Sequence, residues 1–231
     1  MQHYYFISFE RRVMSENLIE DIKVAKQVYS QRGFQHRVGY GNKPAIINVD
    51  LANAWTREGS AFTCIGMEEV IANVCKLLRV ARSRNIPIFY TTTAYDFSMK
   101  DAGLWVRKIP ALRELQIESE RCEIDSRLER RDGEIVIVKK MASAFAGTGL
   151  DCMLTSLGVD TVIVTGVTAC TCVRHTVEDA ITRGFRPIIP EGTVSDRIPG
   201  AVQWNLFDID AKFGDVEPLE KVLDYLEQIL V

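Results

Sequence analysis

The 231-residue chain reads as a doubly wound α/β fold, and three observations carry that reading. Four short apolar runs rich in β-branched residues, at 45–49, 86–91, 135–138 and 161–165, are continuous rather than alternating, the pattern of strands covered on both faces of a parallel sheet. Segments of helical period separate them, as parallel crossovers require. The length and a hydrophobic content of 47% suit one domain with a single large core.

The elements follow in chain order. Residues 17–36 have helical spacing but are polar on most faces, which suits an arm lying over a neighbour, so residues 1–40 are set apart as an arm and helix before a domain over 41–231. The run 45–49 is the first strand and delivers Asp50 to its carboxyl end. Over 67–84, Met67, Val70, Ile71, Val74, Leu77, Leu78 and Ala81 recur at three- and four-residue steps, which predicts an amphipathic helix. The strand 86–91 leads into a long polar loop, 94–104. The strand 135–138 ends at Lys139, and a short helix over 150–157 stops at Gly158. After the strand 161–165, a small-residue turn opens a helix over 173–183 that ends at Gly184. A weaker strand at 187–189, a second polar loop at 191–200 and an amphipathic helix over 217–230 complete the chain. Both long loops fall at carboxyl ends of strands, where doubly wound sheets bind ligands.

Composition narrows the function. A net charge of −3, from 28 basic and 31 acidic residues, offers no footprint for nucleic acid and no charge block for anionic lipid. A small-molecule ligand is expected. The cysteines at 64, 75, 122, 152, 170 and 172 lack paired C-x-x-C spacing, which fits reduced thiols. Residues 1–13 lack a signal-peptide pattern and no run of eighteen apolar residues occurs, so a cytoplasmic protein is expected.

The chemistry gathers at strand ends. Cys172 immediately precedes a helical pattern, where unpaired N–H groups would lower a thiol's pKa and receive an oxyanion. Cys170 reads as a small buried hydrophobe, and His175 lies a turn too far along to share the pocket. Asp50 taken alone is better explained as a helix or turn cap than as a catalyst, and Lys139 with Lys140 as solvated lysines leaving a strand. Three such ends meeting on one edge of a sheet would instead make an acid, an ammonium and a thiol into one site. With histidine only at 3, 36 and 175, neither a Cys–His pair nor an Asp-plus-two-His metal site has support.

Asp50, Lys139 and Cys172, in this order, resemble the Asp-Lys-Cys triad of the isochorismatase-like cysteine hydrolases. Ser143-Ala144-Phe145 and Gly147-Thr148 match the family's segment after the lysine. The runs Asp50-Leu51-Ala52-Asn53-Ala54-Trp55-Thr56, Gly103-Leu104-Trp105, Cys172-Val173-Arg174-His175-Thr176 and Val202-Gln203-Trp204-Asn205-Leu206 are similar to members that hydrolyse carbamoyl amino acids. The resemblance implies a three-layer α/β/α fold with a six-stranded parallel sheet of order 3-2-1-4-5-6, assembled as a homotetramer without a cofactor or metal. It also implies a cis peptide bond before Thr168, an oxyanion hole from the N–H groups of Thr168 and Cys172, and Arg197 as the group that binds a substrate carboxylate. The implied activity is cleavage of a carbamoyl C–N bond, with N-carbamoylsarcosine giving sarcosine, carbon dioxide and ammonia. Another ureido acid, maleamate or a biuret-like amide is the alternative substrate, and a non-catalytic binding protein the alternative class.

Overall fold

The computed structural model describes residues 2–229, with side chains from residue 17 onward. In chain order the helices are α1 (Gln2–Gln31), α2 (Asn53–Thr56), α3 (Met67–Ser83), α4 (Trp105–Lys108), α5 (Leu150–Ser156), α6 (Arg174–Thr182), α7 (Pro199–Lys212) and α8 (Leu219–Glu227). The strands are β1 (Pro44–Val49), β2 (Ile88–Thr93), β3 (Ile135–Lys139), β4 (Thr161–Val167), β5 (Arg186–Pro190), β6 (Val194–Ser195) and β7 (Asp215–Glu217). All pairings between them are parallel. The sheet runs β3-β2-β1-β4-β5-β7, with the two-residue β6 pairing β4 beside this path. The expected order 3-2-1-4-5-6 is therefore present, its sixth place filled by β7.

Alternation along the buried strands divides the core into two. Ile46, Ile88, Tyr90, Ile163 and Ile188 face α3 and α8, whereas Ala45, Ile47, Phe89, Val162, Val164 and Ile189 face α5, α6 and α7. In the central strands β1 and β4 every residue is buried, because each of their faces is roofed by helices. The edge strand β3 departs from the expectation of cover on both faces. Its Val136 and Val138 are exposed, and among the described residues no helix packs closely on that strand.

Two further differences from the sequence reading have local causes. The second strand begins and ends two residues later than expected, so all of Thr91-Thr92-Thr93 belongs to β2. The helix α7 had no counterpart in the sequence reading, because its buried residues, among them Asp208, do not form a clean apolar stripe. Separately, α1 lies on α7 of its own chain, with Tyr29 and Phe207 ring centroids 5.6 Å apart and Lys212 Nζ over the Tyr29 ring.

Candidate active site

The site begins where β1 stops. Asp50, the next residue, takes a left-handed φ of 50°, a conformation Asp enters more readily than most side chains. Its backbone N–H donates to Thr91 O at 3.2 Å and to Thr91 Oγ1 at 3.1 Å. The carboxylate in turn accepts from Thr91 Oγ1 at 2.9 Å and from Thr93 Oγ1 at 3.3 Å. These bonds hold the acid in one orientation with no exposed surface. Gly166 of β4 lies opposite Val49 with a φ of 108°, and a Cβ there would overlap the Val49 carbonyl oxygen. Only glycine lets β4 approach the residue before Asp50 this closely.

Lys139 ends β3 and reaches across β2 to the same point. Its Nζ lies 2.8 Å from Asp50 Oδ2, 2.8 Å from Thr93 Oγ1, 3.1 Å from Met141 O and 3.4 Å from Cys172 Sγ. The side chain is wholly buried. Burial by itself would lower its pKa, but the Asp50 charge and the sulfur outweigh that, and the net direction is upward. Lys139 is therefore an ammonium at neutral pH. Lys140, the next residue along, turns away to pair with Asp101 at 2.7 Å.

Cys172 sits in a π-helical turn, Ala169–Val173, between β4 and α6. The expectation of a lowered thiol pKa is overturned. Burial pushes the Cys172 thiol up to about 12; the Lys139 ammonium opposes that rise and the Asp50 carboxylate adds to it. The resting group is a thiol, and forming the thiolate requires an acceptor for its proton. Asp50 is the neighbouring base.

The turn is held from several sides. Thr168 O accepts the N–H groups of Thr171 and Val173, each at 3.1 Å, and the Cys170 N–H donates to Asp196 Oδ2 at 2.9 Å. Thr176 Oγ1 donates to Cys172 O at 2.7 Å while accepting the Ala144 N–H at 3.0 Å, which ties the segment after Lys139 to α6. The Val167–Thr168 peptide bond is cis. Among the described residues, neither the Thr168 nor the Cys172 N–H donates to a carbonyl outside the turn. The Thr168 N–H, which lies outside both strand and turn, donates to no backbone carbonyl among the described residues. His175 faces away, its Nδ1 2.7 Å from Thr171 O on the exposed side of the helix.

A cavity of about 50 Å³ opens on Cys172. Thr93, Thr168 and Thr171 supply its polar wall, and Trp55, Phe62, Trp105 and Ile109 its apolar one. Arg197 also lines it, with a half-exposed guanidinium 3.7 Å from Asp196 Oδ1. The larger depressions lie under α1 and at the opposite end of the sheet, away from these groups.

The structure thus brings Asp50, Lys139, Cys172, Thr168 and Arg197 to one place. Sequence reasoning missed Thr91 and Thr93, which orient the acid: Thr93 lay beyond the expected end of the strand, and Thr91 was counted only as one of its β-branched residues. The apolar wall went unrecognised because Trp55, Phe62, Trp105 and Ile109 come from separate segments with no shared period. Among the described residues, no three His, Cys, Asp or Glu side chains form a metal-ligating group.

Comparison with known proteins agrees with this geometry. The isochorismatase domain model matches residues 44–221. An N-carbamoylsarcosine amidase from Arthrobacter sp is 52% identical over 217 residues, covering 92% of this chain and 82% of that protein. A maleamate amidohydrolase from Pseudomonas putida is 31% identical, covering 91% of this chain and 99% of that protein. A crystal structure of an isochorismatase family protein from Desulfovibrio vulgaris superposes with a TM-score of 0.75 at 26% identity, covering 81% of this chain and all of that one (100%).

Proposed function

The chain belongs to the isochorismatase family, and on that footing we propose that it is an amidohydrolase that cleaves the carbamoyl C–N bond of N-carbamoylsarcosine. The observation that carries the reading is the convergence of a buried acid, ammonium and thiol on a cavity that also holds an arginine. The 52% identity to an amidase of that substrate supports it.

In this reading Asp50 accepts the Cys172 proton as the sulfur bonds to the carbamoyl carbon. Lys139, paired with Asp50 beforehand, stabilises the developing thiolate. The carbonyl oxygen takes up negative charge facing the N–H groups of Thr168 and Cys172, which serve as the oxyanion hole. Collapse breaks the bond to the terminal nitrogen, and the proton on Asp50 leaves with it as ammonia. Asp50 then takes a proton from water as its oxygen attacks the thioester. The Cys172 sulfur leaves and regains a proton, and the released carbamate loses carbon dioxide to give sarcosine.

Arg197 is the carboxylate-binding group, since a guanidinium fork matches a carboxylate in shape and charge. Trp55, Phe62 and Trp105 exclude water from the reacting atoms. The reading takes the protein as a homotetramer that needs neither metal nor cofactor, in a reducing cytoplasmic setting that suits its free cysteines.

Ammonia release tests the reading. N-carbamoylsarcosine, other carbamoyl amino acids, maleamate, biuret and nicotinamide are compared with wild type, Cys172→Ala and Arg197→Ala. N-carbamoylsarcosine is expected to be the best substrate, Cys172→Ala to be inactive, and Arg197→Ala to raise KM for acids. Full ammonia release by Cys172→Ala removes the mechanism, and preference for a neutral amide removes the substrate.

A further inference from the structure

Asp196 is buried beneath the site without touching the cavity, and its bonds reach three segments that build it. Oδ2 accepts the Cys170 N–H at 2.9 Å, two residues before the thiol. Oδ1 accepts the Arg197 N–H at 2.7 Å and faces the Arg197 guanidinium at 3.7 Å. Its backbone carbonyl accepts the Ile65 N–H at 3.0 Å, in the segment just after Phe62 of the apolar wall. A buried carboxylate needs such donors, and here it draws them from the nucleophile turn and the arginine loop together.

The bond to Cys170 is the informative one. N–H groups at the start of a helical turn lack intrahelical acceptors, and Asp196 supplies one from outside the turn. The Cys170 N–H is thereby held from outside the turn, while Thr168 O holds the N–H groups of Thr171 and Val173 from its start. So held, the turn leaves the Thr168 and Cys172 N–H groups uncommitted to carbonyls beyond it. We infer that Asp196 is a positioning residue for this reaction: by fixing the Cys170 N–H it aims the two oxyanion donors and the sulfur, and so governs kcat. The inference rests on the proposed amide hydrolysis, and the arginine beside Asp196 acts separately on substrate affinity.

The test separates kcat from KM in Asp196→Ala, Asp196→Asn and Arg197→Ala. Asp196→Ala leaves the Cys170 N–H without its acceptor and is expected to lower kcat about a hundredfold, the scale on which misplaced oxyanion donors act. Asp196→Asn keeps one carbonyl oxygen for that N–H and is expected to recover kcat to within tenfold of wild type. Arg197→Ala should raise KM with little effect on kcat. Ser195→Ala serves as a control for the loop, because Ser195 Oγ donates to Ile65 O and, at 3.3 Å, to Asp196 O, so its removal leaves the Asp196 carboxylate bonds to the turn and to the arginine in place. It should match wild type.

If Asp196→Ala merely copies Arg197→Ala, raising KM at constant kcat, the inference is overturned, because Asp196 then acts only through the arginine. Equal losses in the Asn and Ala variants also overturn it. The split is read on whichever amide of the substrate panel the wild type hydrolyses, so failure of the carbamoylsarcosine assignment leaves it testable. If no amide is hydrolysed, the rate of Cys172 alkylation by iodoacetamide replaces kcat. A change of threefold or more in the Ala variant that the Asn variant restores supports the inference, and unchanged alkylation in both overturns it.

Discussion

Asp50 and Lys139 form a wholly buried pair 2.8 Å apart, and the energetics of such pairs give a prediction that separates charge from packing. Lys139→Met keeps the volume of the side chain but strands the Asp50 carboxylate among Thr91, Thr93 and Cys172. Removing one partner of a buried ion pair costs about 3–5 kcal/mol. Asp50→Asn does the converse, leaving an ammonium with only Thr93 Oγ1, Met141 O and the sulfur as partners. Asparagine tolerates the left-handed φ of 50° at this position, so the change perturbs charge without backbone strain. If the two losses were independent, the double variant would lose roughly 6–10 kcal/mol. With both charges gone, however, neither is left unpaired, and the double variant is expected within about 1 kcal/mol of wild type. Urea unfolding of all four proteins at pH 7 gives the coupling directly. For a chain of this size, a single-variant loss of about 4 kcal/mol also lowers Tm by roughly 8–16 °C. All three variants are expected to be inactive, so stability and activity separate in the double variant. Additive losses would refute the view that pairing, rather than each side chain's own packing, holds this part of the core.

Two other outcomes follow from the same structure. Gly166→Ala places a methyl group against the Val49 carbonyl at a φ of 108°, so a loss on the order of 3 kcal/mol or more is expected on urea unfolding. The residual folded protein should lose activity as well, because the displaced strand carries Asp50; a fully active, equally stable variant contradicts the close-approach reading. Asp125 is buried and accepts hydrogen bonds from Thr56 at 2.5 Å, from Arg57 at 2.9 Å and from Arg127 at 2.7 Å. Burial acts to raise its pKa, but these hydrogen bonds and the Arg127 charge overcome that, and the carboxyl is held well below the usual range. A depressed folded pKa means the stabilisation is complete above the unfolded value of about 3.9 and is lost as pH falls through the folded value. Asp125→Asn should therefore lower the urea midpoint clearly at pH 7, and the gap to wild type should narrow at pH 3. A gap independent of pH contradicts the assignment.

Much of the fold was legible because it rests on local pattern. The β-branched runs located β1 to β5, and the three- and four-residue steps located α3 and α6 to within a residue or two. Elements without such a pattern escaped: α7 buries Asp208 beside its apolar residues, and β6 and β7 are two and three residues long. The candidate site divided in the same way. Asp50, Lys139 and Cys172 stand at strand ends, which a pattern reveals. Asp196 belongs to no such pattern, since its bond to the Cys170 N–H spans 26 positions.

The primary structure by itself determined the parallel α/β architecture, the strand ends that carry an acid, an ammonium and a thiol, and the family the chain resembles. These follow from periodicity and residue type, which act over a few neighbours. Only the folded molecule decided that the thiol rests protonated, that Lys139 rather than Lys140 meets Asp50, and that a buried carboxylate steadies the nucleophile turn. Each of these depends on burial and on charges brought together from distant segments, and a thiol's proton affinity is set by what surrounds it in space rather than by its neighbours along the chain.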